Sequence, residues 1–470
     1  MSGLGFGTLA LTYLLNRHPL LGAGSESTGP LYTNLQRRPG HFSGSARAVI
    51  QLMQNGGPSQ IELFDPKPEL TKWSGRPHPL GVETFQLNNN NILLASTFEF
   101  KRYGKCGMEL SDVIPHMGGV ADELCLVRSM YTENNNHPEA LTMIQTCKVF
   151  PGRPAMGSWI SYALGTENQN LPAYVVLRDP AGYNTSGKMV WSSGFLPALY
   201  QGVEFSSSGT PVHHLNPALP LPPGAQRDNL DLLAKLNAAH RCAHPRESEL
   251  ESRIQNYELA ARMQLAAGEV LNLSQESEET KKLYGLDNTV TAGYGMRCLM
   301  ARRLVEAGVR FVQVFPPLEP SFQPWDHHSN LKTGLQTICA HIDQPFAGLI
   351  RDLKGRGLLD STIVMWTGEF GRLPTTQPNP TGGAGRDHNR HAFSLVLTGG
   401  GFKKGFVYGE TDEFGYKSVM NRVSVPDVHA TILSLLGIDH NRLVYPYHGF
   451  LETPTDGKLT HANVVKALLK

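Results

Sequence analysis

Ser361-Thr-Ile-Val-Met-Trp-Thr-Gly-Glu-Phe-Gly-Arg372 is the stretch on which the reading of this chain turns. Its first six residues form a short apolar run rich in β-branched side chains, the pattern of a strand buried on both faces. The run ends in a glycine-flanked carboxylate, Glu369. Just downstream, Gly385-Arg-Asp-His-Asn-Arg-His391 returns Asp387, His388 and His391. Carboxylates and imidazoles on loops at a strand's carboxyl end are the residue mix that metal-dependent hydrolysis uses.

Working outward, the segments Ala46–Met53, Ala173–Leu177, Val309–Phe315 and Phe393–Leu397 repeat the pattern of a short buried strand bounded by Gly or Pro. Helical patterns lie between them. Met296, Leu299, Met300, Leu304 and Ala307 share one helix face, and Gly308 stops the helix before the strand at Val309. Pro426 occupies a first helical position, with Gly437 as the stop. Strands separated by helices predict an α/β fold with a mostly parallel sheet covered on both faces. Residues 225–285 differ: Leu250, Ile254, Tyr257, Ala261 and Leu265 make a helical stripe in a polar, strand-free stretch, which predicts a helical insertion packed on the sheet domain.

Composition narrows the function. The chain has 470 residues, 40% of them hydrophobic and 18% charged, with a net charge of +1. That balance gives no long-range field for a nucleic acid partner, and no transmembrane span is expected in the mature domain. Six scattered cysteines with no CxxC pair are read as small buried hydrophobes. Residues 3–15 form an apolar stretch of signal-peptide length without a basic region in front of it. Residues 1–24 are read either as a truncated signal of an exported protein, the reading preferred, or as a plain apolar amino-terminal tail, with 25–45 as a linker and 46–470 as the mature domain.

Four loops carry chemistry, three after predicted strands and the one at Asn134 after a helical region. They hold Asn55 and Ser59; Asn134-Asn-Asn-His-Pro-Glu139; Trp325-Asp-His-His328; and Glu369. Asp326 with His327 or His328 offers a hard oxygen and an imidazole within reach of one divalent ion. Each has a plainer reading: an Asp capping a helix near Trp325, an ion pair between Glu369 and Arg372, a polar network of Asp387 and His388 with Arg386 and Arg390, and a turn stabilised by His137. Asn55-Gly-Gly-Pro-Ser59 lacks the Lys and the spacing of a P-loop.

Taken together, Asn55-Gly-Gly-Pro-Ser-Gln60, Phe64-Asp-Pro-Lys-Pro68, Gly157-Ser-Trp159, Cys298-Leu-Met-Ala-Arg-Arg303, Trp325-Asp-His-His328, Gly368-Glu-Phe-Gly-Arg372, Gly385-Arg-Asp-His388 and Asp427-Val-His-Ala-Thr431 resemble the exported bacterial domain-of-unknown-function family 1501. The resemblance covers about residues 45 to 465. That family looks like a branch of the alkaline phosphatase and sulfatase superfamily. The resemblance implies a three-layer α/β/α sandwich with one or two divalent metals (Zn, Ca, Mg or Mn) at the carboxyl edge of the sheet. It also implies a twin-arginine signal whose apolar part resembles Ser2–Thr8. Several departures accompany it. The first-strand metal carboxylates fall near Gln54 and Asn55, which are amides. The Asp-His pair after the penultimate core strand corresponds to Glu369 and Phe370, with His388 offered as a replacement for the missing imidazole. The stretch that carries the sulfatase nucleophile corresponds to Asn136-His-Pro-Glu-Ala140, which has no hydroxyl or thiol.

The expectation is an exported metal-dependent hydrolase of sulfate or phosphate esters, on a small molecule or a glycan. Asn55, Asp326, His328, Glu369, Asp387 and His388 are the expected metal ligands, and His137, Arg372 and Arg386 the expected catalytic groups. Ser59, His327 and His391 are further candidates. The alternative is a catalytically degenerate member that binds an anionic glycan or a cell-surface partner.

Overall fold

The computed structural model describes residues 34–470 except 87–90, 209–211, 213–221, 223, 245–247, 319–320 and 378–381, and except the side chains of 248–249 and 265–267. Its centre is a nine-stranded sheet. In chain order the strands are β1 (Ala48–Met53), β2 (Leu124–Tyr131), β3 (Tyr174–Leu177), β4 (Val203–Phe205), β5 (Phe311–Val314), β6 (Thr362–Thr367), β7 (Phe393–Thr398), β8 (Phe406–Tyr408) and β9 (Val423–Ser424). They lie in the order β8-β2-β7-β6-β1-β5-β3-β4, with β9 also paired to β2. β1 runs parallel to β5 and β6, and β7 is antiparallel to both β6 and β2. Every residue of β1, β3, β5, β6 and β7 is buried, so both faces of the sheet are covered. The architecture is a three-layer α/β/α sandwich with a mostly parallel sheet, in agreement with the sequence.

The helices that matter here are α1 (His137–Thr146), α2 (Met156–Leu164), α3 (Ala225–Ala243), α4 (Ser248–Val270), α5 (Ala292–Glu306), α6 (Leu331–Gly355) and α7 (Val425–Leu435). Close packing sets their positions. A Cβ on Gly157 of α2 would come within 2.7–2.8 Å of the Tyr174 and Phe311 rings, so the small residue lets the helix lie directly on the sheet. α7 opens with a capping box: Ser424 accepts from the Asp427 amide and the Asp427 carboxylate accepts from the Ser424 amide. β1, β5 and β6 run in one direction, so their carboxyl ends share one edge; β2 is parallel to them, and antiparallel β7 starts at that edge. The loops after Met53, Tyr131, Val314 and Thr367 and the loop before Phe393 therefore converge there.

Some expectations change. β2 was not read as a strand, because Arg128 interrupts its apolar run. In the helical segment, Ile254, Leu259 and Met263 form the buried side, while Tyr257 of the expected stripe is 66% exposed; the Leu265 side chain lies outside the described set. α3 buries none of its residues. Of the linker read at 25–45, residues 25–33 lie outside the described residues; in the rest Leu35 is buried, Arg38 donates to Tyr162 O and Phe42 N to Gly437 O. The signal-like segment 1–24 lies outside the described residues. Among the described residues no helix is long and apolar enough to cross a membrane. Cys125, Cys147, Cys298 and Cys339 are buried as expected, but Cys106 and Cys242 are exposed.

Candidate metal centre

The loop after β1 forms the floor of the site. Gly56 has φ +117°, and a Cβ there would meet Trp325 N at 2.7 Å and Asp326 N at 2.8 Å. Gly57 has φ +72° and backs directly onto the Phe370 ring. Only glycine combines that backbone with that proximity. The turn is not a phosphate cradle. Gly56 N donates to Glu369 Oε1 at 2.8 Å, and the Gly56 and Gly57 carbonyls accept from Arg372.

Above this floor three imidazoles surround one carboxylate. His137 is the first residue of α1, His328 belongs to the loop after β5, and His388 lies in the return loop before β7. Their Nε2 atoms all face Asp326: His137 at 3.4 Å from Oδ2, His328 at 3.0 Å and His388 at 3.2 Å from Oδ1. Each Nδ1 rests on an oxygen. His137 Nδ1 is 2.8 Å from Glu369 Oε1, His388 Nδ1 is 2.6 Å from Asn135 O, and His328 Nδ1 contacts Gln377 Oε1. A carbonyl oxygen only accepts, so Nδ1 of His388 carries the proton and its neutral Nε2 presents a lone pair. That lone pair faces the Asp326 carboxylate and lies 3.0 Å from His328 Nε2.

Charge sharpens the picture. Glu369 and Asp387 are fully buried and the Asp326 side chain is 24% exposed. Among the described residues Arg372 is the one guanidinium in contact with Asp326, donating to Oδ1 at 2.7 Å. Burial on its own would raise the Asp326 carboxyl, but Arg372 and the three imidazoles outweigh it and hold it well below the usual carboxylate range. Burial, with Arg372 adding to it, lowers His388 to about 3, so the ring is neutral at physiological pH. For His137 burial works downward, yet the Asp326 carboxylate facing its Nε2 and the Glu369 carboxylate bonded at its Nδ1 raise it overall.

Two overlapping groups have the geometry to hold a cation: His137, Asp326 and His388, and His328, Asp387 and His388. The donor chemistry fits a divalent ion. Asn55 Oδ1, Glu369 Oε2 and His137 Nε2 are buried without a hydrogen-bond partner, and each is a polar atom that costs free energy to leave unpaired. Asn55 Nδ2 is meanwhile fixed by Phe322 O at 2.6 Å and Gln323 Oε1 at 3.0 Å.

Other expected residues occupy different places. Glu369 stands behind His137 and orients it, and it does not pair with Arg372. Asp387 accepts from His388 N at 2.8 Å and from Phe85 N and Gln86 N at 2.9 Å, so backbone amides rather than Arg386 hold it. Arg372 is 1% exposed and gives its remaining donors to the carbonyls of Gly56, Gly57, Trp325 and Arg386. Arg386 is fully buried against Glu62 at 2.7 and 2.9 Å and donates to Leu373 O and Leu94 O. Neither arginine reaches solvent, which departs from their expected role on the substrate anion. His327 packs on Gly334, and burial holds it near 4. His391 pairs with Glu83 at 2.8 Å, outside the cluster. Ser59 Oγ is buried without a partner.

Three participants were not read from the sequence. Gln377 and the Asn135 carbonyl orient His328 and His388, and the Phe85 ring stacks on His388 at 4.8 Å. Phe370 lies 4.5 Å from the His388 ring and 4.9 Å from that of His137.

The layered α/β fold and the His/Asp cluster at its carboxyl edge define a protein built around a candidate metal centre. The chain belongs to the family described as protein of unknown function (DUF1501), whose profile matches residues 46–469. No curated protein matches it in sequence. Among solved structures it is similar to Ps i-CgsB in complex with k-i-k-neocarrahexaose, at 10% identity and a TM-score of 0.36, covering 89% of this chain and 77% of that one. PsFucS1 sulfatase from Pseudoalteromonas sp. is similar at 12% identity and 0.35, with 84% and 68% covered. So is the phosphonate monoester hydrolase SpPMH from Silicibacter pomeroyi, at 11% and 0.34, with 90% and 76% covered. Likeness this distant leaves function to be argued from the residues of the site.

Proposed function

We propose that the protein is a metal-dependent hydrolase of sulfate or phosphate esters, in which His137, His328, His388 and Asp326 hold a divalent ion. The carrying observation is the convergence of three Nε2 atoms on Asp326 while every Nδ1 is anchored on an oxygen. A metal-bound imidazole is neutral, so an ion held here would lie among the acidic side chains of Asp326, Glu369 and Asp387 with the Arg372 guanidinium opposing them, surroundings that favour a divalent cation. Imidazole nitrogens with one carboxylate oxygen suit zinc, and a three-residue set such as His137, Asp326 and His388 would leave a fourth position for water or substrate. Such an ion, when bound, polarises an ester oxygen and acidifies water.

The chain's own residues supply the rest. Glu369, Gln377 and the Asn135 carbonyl fix the tautomer and direction of the three rings. Arg372 holds Asp326 ionised, and Phe85 and Phe370 wall His388 with apolar surface. Asp326 and His328, 24% and 22% exposed in their side chains, form the open side by which an ester on a small molecule or glycan would enter. The export expected from residues 1–24 accords with a substrate outside the cytoplasm and is part of this proposal.

The test is elemental analysis of the purified protein, followed by assay of generic sulfate and phosphate monoesters with and without chelator and with His388→Ala. Turnover that needs both metal and His388 supports the proposal; a folded, metal-replete protein with no turnover on either ester class ends it. One observation favours the alternative, a non-catalytic binder of an anionic glycan or cell-surface partner: Arg372 and Arg386 are buried and turned to protein acceptors rather than toward an ester's anion. Binding of a sulfated glycan that survives Asp326→Ala would favour that reading.

A further inference from the structure

At the opposite edge of the sheet, where β1 and β5 begin, a surface cavity of about 760 Å3 is lined by Arg37, Arg38, Arg47 and Arg310, with Glu167 as its one carboxylate. β1 has six residues, so roughly 20 Å of strand separates this cavity from the metal centre. The Arg310 side chain is 6% exposed and is built into the wall: Nη1 lies 3.1 Å from Glu167 Oε1 and donates to Arg47 O at 3.0 Å. Glu167 is shared with Arg37, whose Nε stands 4.0 Å away. Arg38 is turned to the Tyr162 carbonyl. Arg47 is exposed and has no carboxylate partner among the described residues. Burial lowers the proton affinity of Arg310 against the pull of Glu167, and the like charges of Arg37 and Arg47 lower it further.

Four guanidiniums against one carboxylate leave the cavity with net positive charge, and while Arg38 and Arg310 are tied to protein acceptors, the exposed Arg37 and Arg47 offer planar donors suited to oxyanions. We propose that this cavity binds a phosphate-class oxyanion, carried by a lipid headgroup or by a soluble phosphoester, independently of the metal centre. Its position leaves the reaction edge free while the opposite edge is engaged.

The test uses metal-stripped full-length protein titrated with pyrophosphate and, separately, sedimented with phosphatidylglycerol or phosphatidylcholine vesicles. Wild type, Arg37→Ala/Arg47→Ala and Asp326→Ala are compared. Wild type and Asp326→Ala should bind alike, and the double variant should bind about tenfold or more weakly. Binding should also weaken with salt. Pyrophosphate binding identifies a soluble ligand, and binding to phosphatidylglycerol but not phosphatidylcholine identifies a headgroup; either supports the site. No binding of either probe, equal binding by the double variant, or loss in Asp326→Ala alone would overturn it. Both replaced arginines project to the surface, so a melting curve matching wild type is expected and secures the comparison.

Discussion

His388 Nε2 and His328 Nε2 stand 3.0 Å apart, and both face Asp326 Oδ1. Two ring nitrogens approach so closely beside a carboxylate only when a proton or a cation lies among them. Replacing either ring should therefore empty the centre. Wild type is expected to carry about one equivalent of divalent metal or more, and His388→Ala or His328→Ala little. Chelation should also lower the wild-type melting temperature, since a ligand bound only to the folded state stabilises it. Elemental analysis and a melting curve with chelator check both. Full metal content in His388→Ala would remove that ring from the ligand set.

Gln377 offers a finer probe, because it touches His328 Nδ1 while its own Nε2 is held by Gln86 Oε1. Gln377→Leu keeps the fold but removes the acceptor that directs the ring. Metal affinity measured by chelator competition should fall by about 10- to 100-fold. Gln377→Glu restores an acceptor and should recover most of it. Equal affinities in all three proteins would mean that the amide does not orient the ring.

How much of this was legible beforehand follows from what each residue does. Thr362–Thr367 announces a strand through its side chains alone, and Asp326, His328 and His388 announce chemistry because few other residue types bind metals. Gln377 and the Asn135 carbonyl act only through placement, which no local pattern encodes. Glu369 shows the limit most clearly: its type and its place at a strand end suggest a ligand, but no local pattern says that its Oε1 meets His137 Nδ1 and Gly56 N. Arg372 and Arg386 were read for charge, whereas their burial turns them inward as hydrogen-bond hubs. Leu124–Tyr131 was missed because Arg128, half-buried near the sheet's edge, breaks an otherwise apolar run.

Those inward arginines give a prediction that separates structure from substrate binding. Arg372→Lys leaves carbonyls of the Gly56-Gly57 turn unpaired and Asp326 less well compensated, since one ammonium cannot reproduce the fork. Leaving buried carbonyls unpaired in this way costs on the order of 1–3 kcal/mol. Urea unfolding should show that loss for Arg372→Lys and, through Glu62, for Arg386→Lys. A raised KM with unchanged stability would instead return these side chains to the substrate.

His429 lets the same separation be made with pH. It lies on α7, is 1% exposed, and its Nε2 donates at 2.9 Å to Ile144 O in the last turn of α1, the helix that begins with His137. The carbonyl can only accept, so the ring is neutral with its proton on Nε2, and burial lowers its pKa from 6.5 to about 4. The unfolded chain takes up this proton more readily than the folded one. Stability from the neutral ring is therefore complete above about pH 6.5 and is lost as pH falls through about 4. The full loss is at most about 3 kcal/mol. His429→Gln keeps a donor near the same place and removes the titration. The stability difference between wild type and His429→Gln should therefore shift against wild type as pH drops from 7 to 4, while other histidines cancel in the comparison. Parallel curves across that range would show that His429 is protonated in the folded protein or that its tie to α1 does not form.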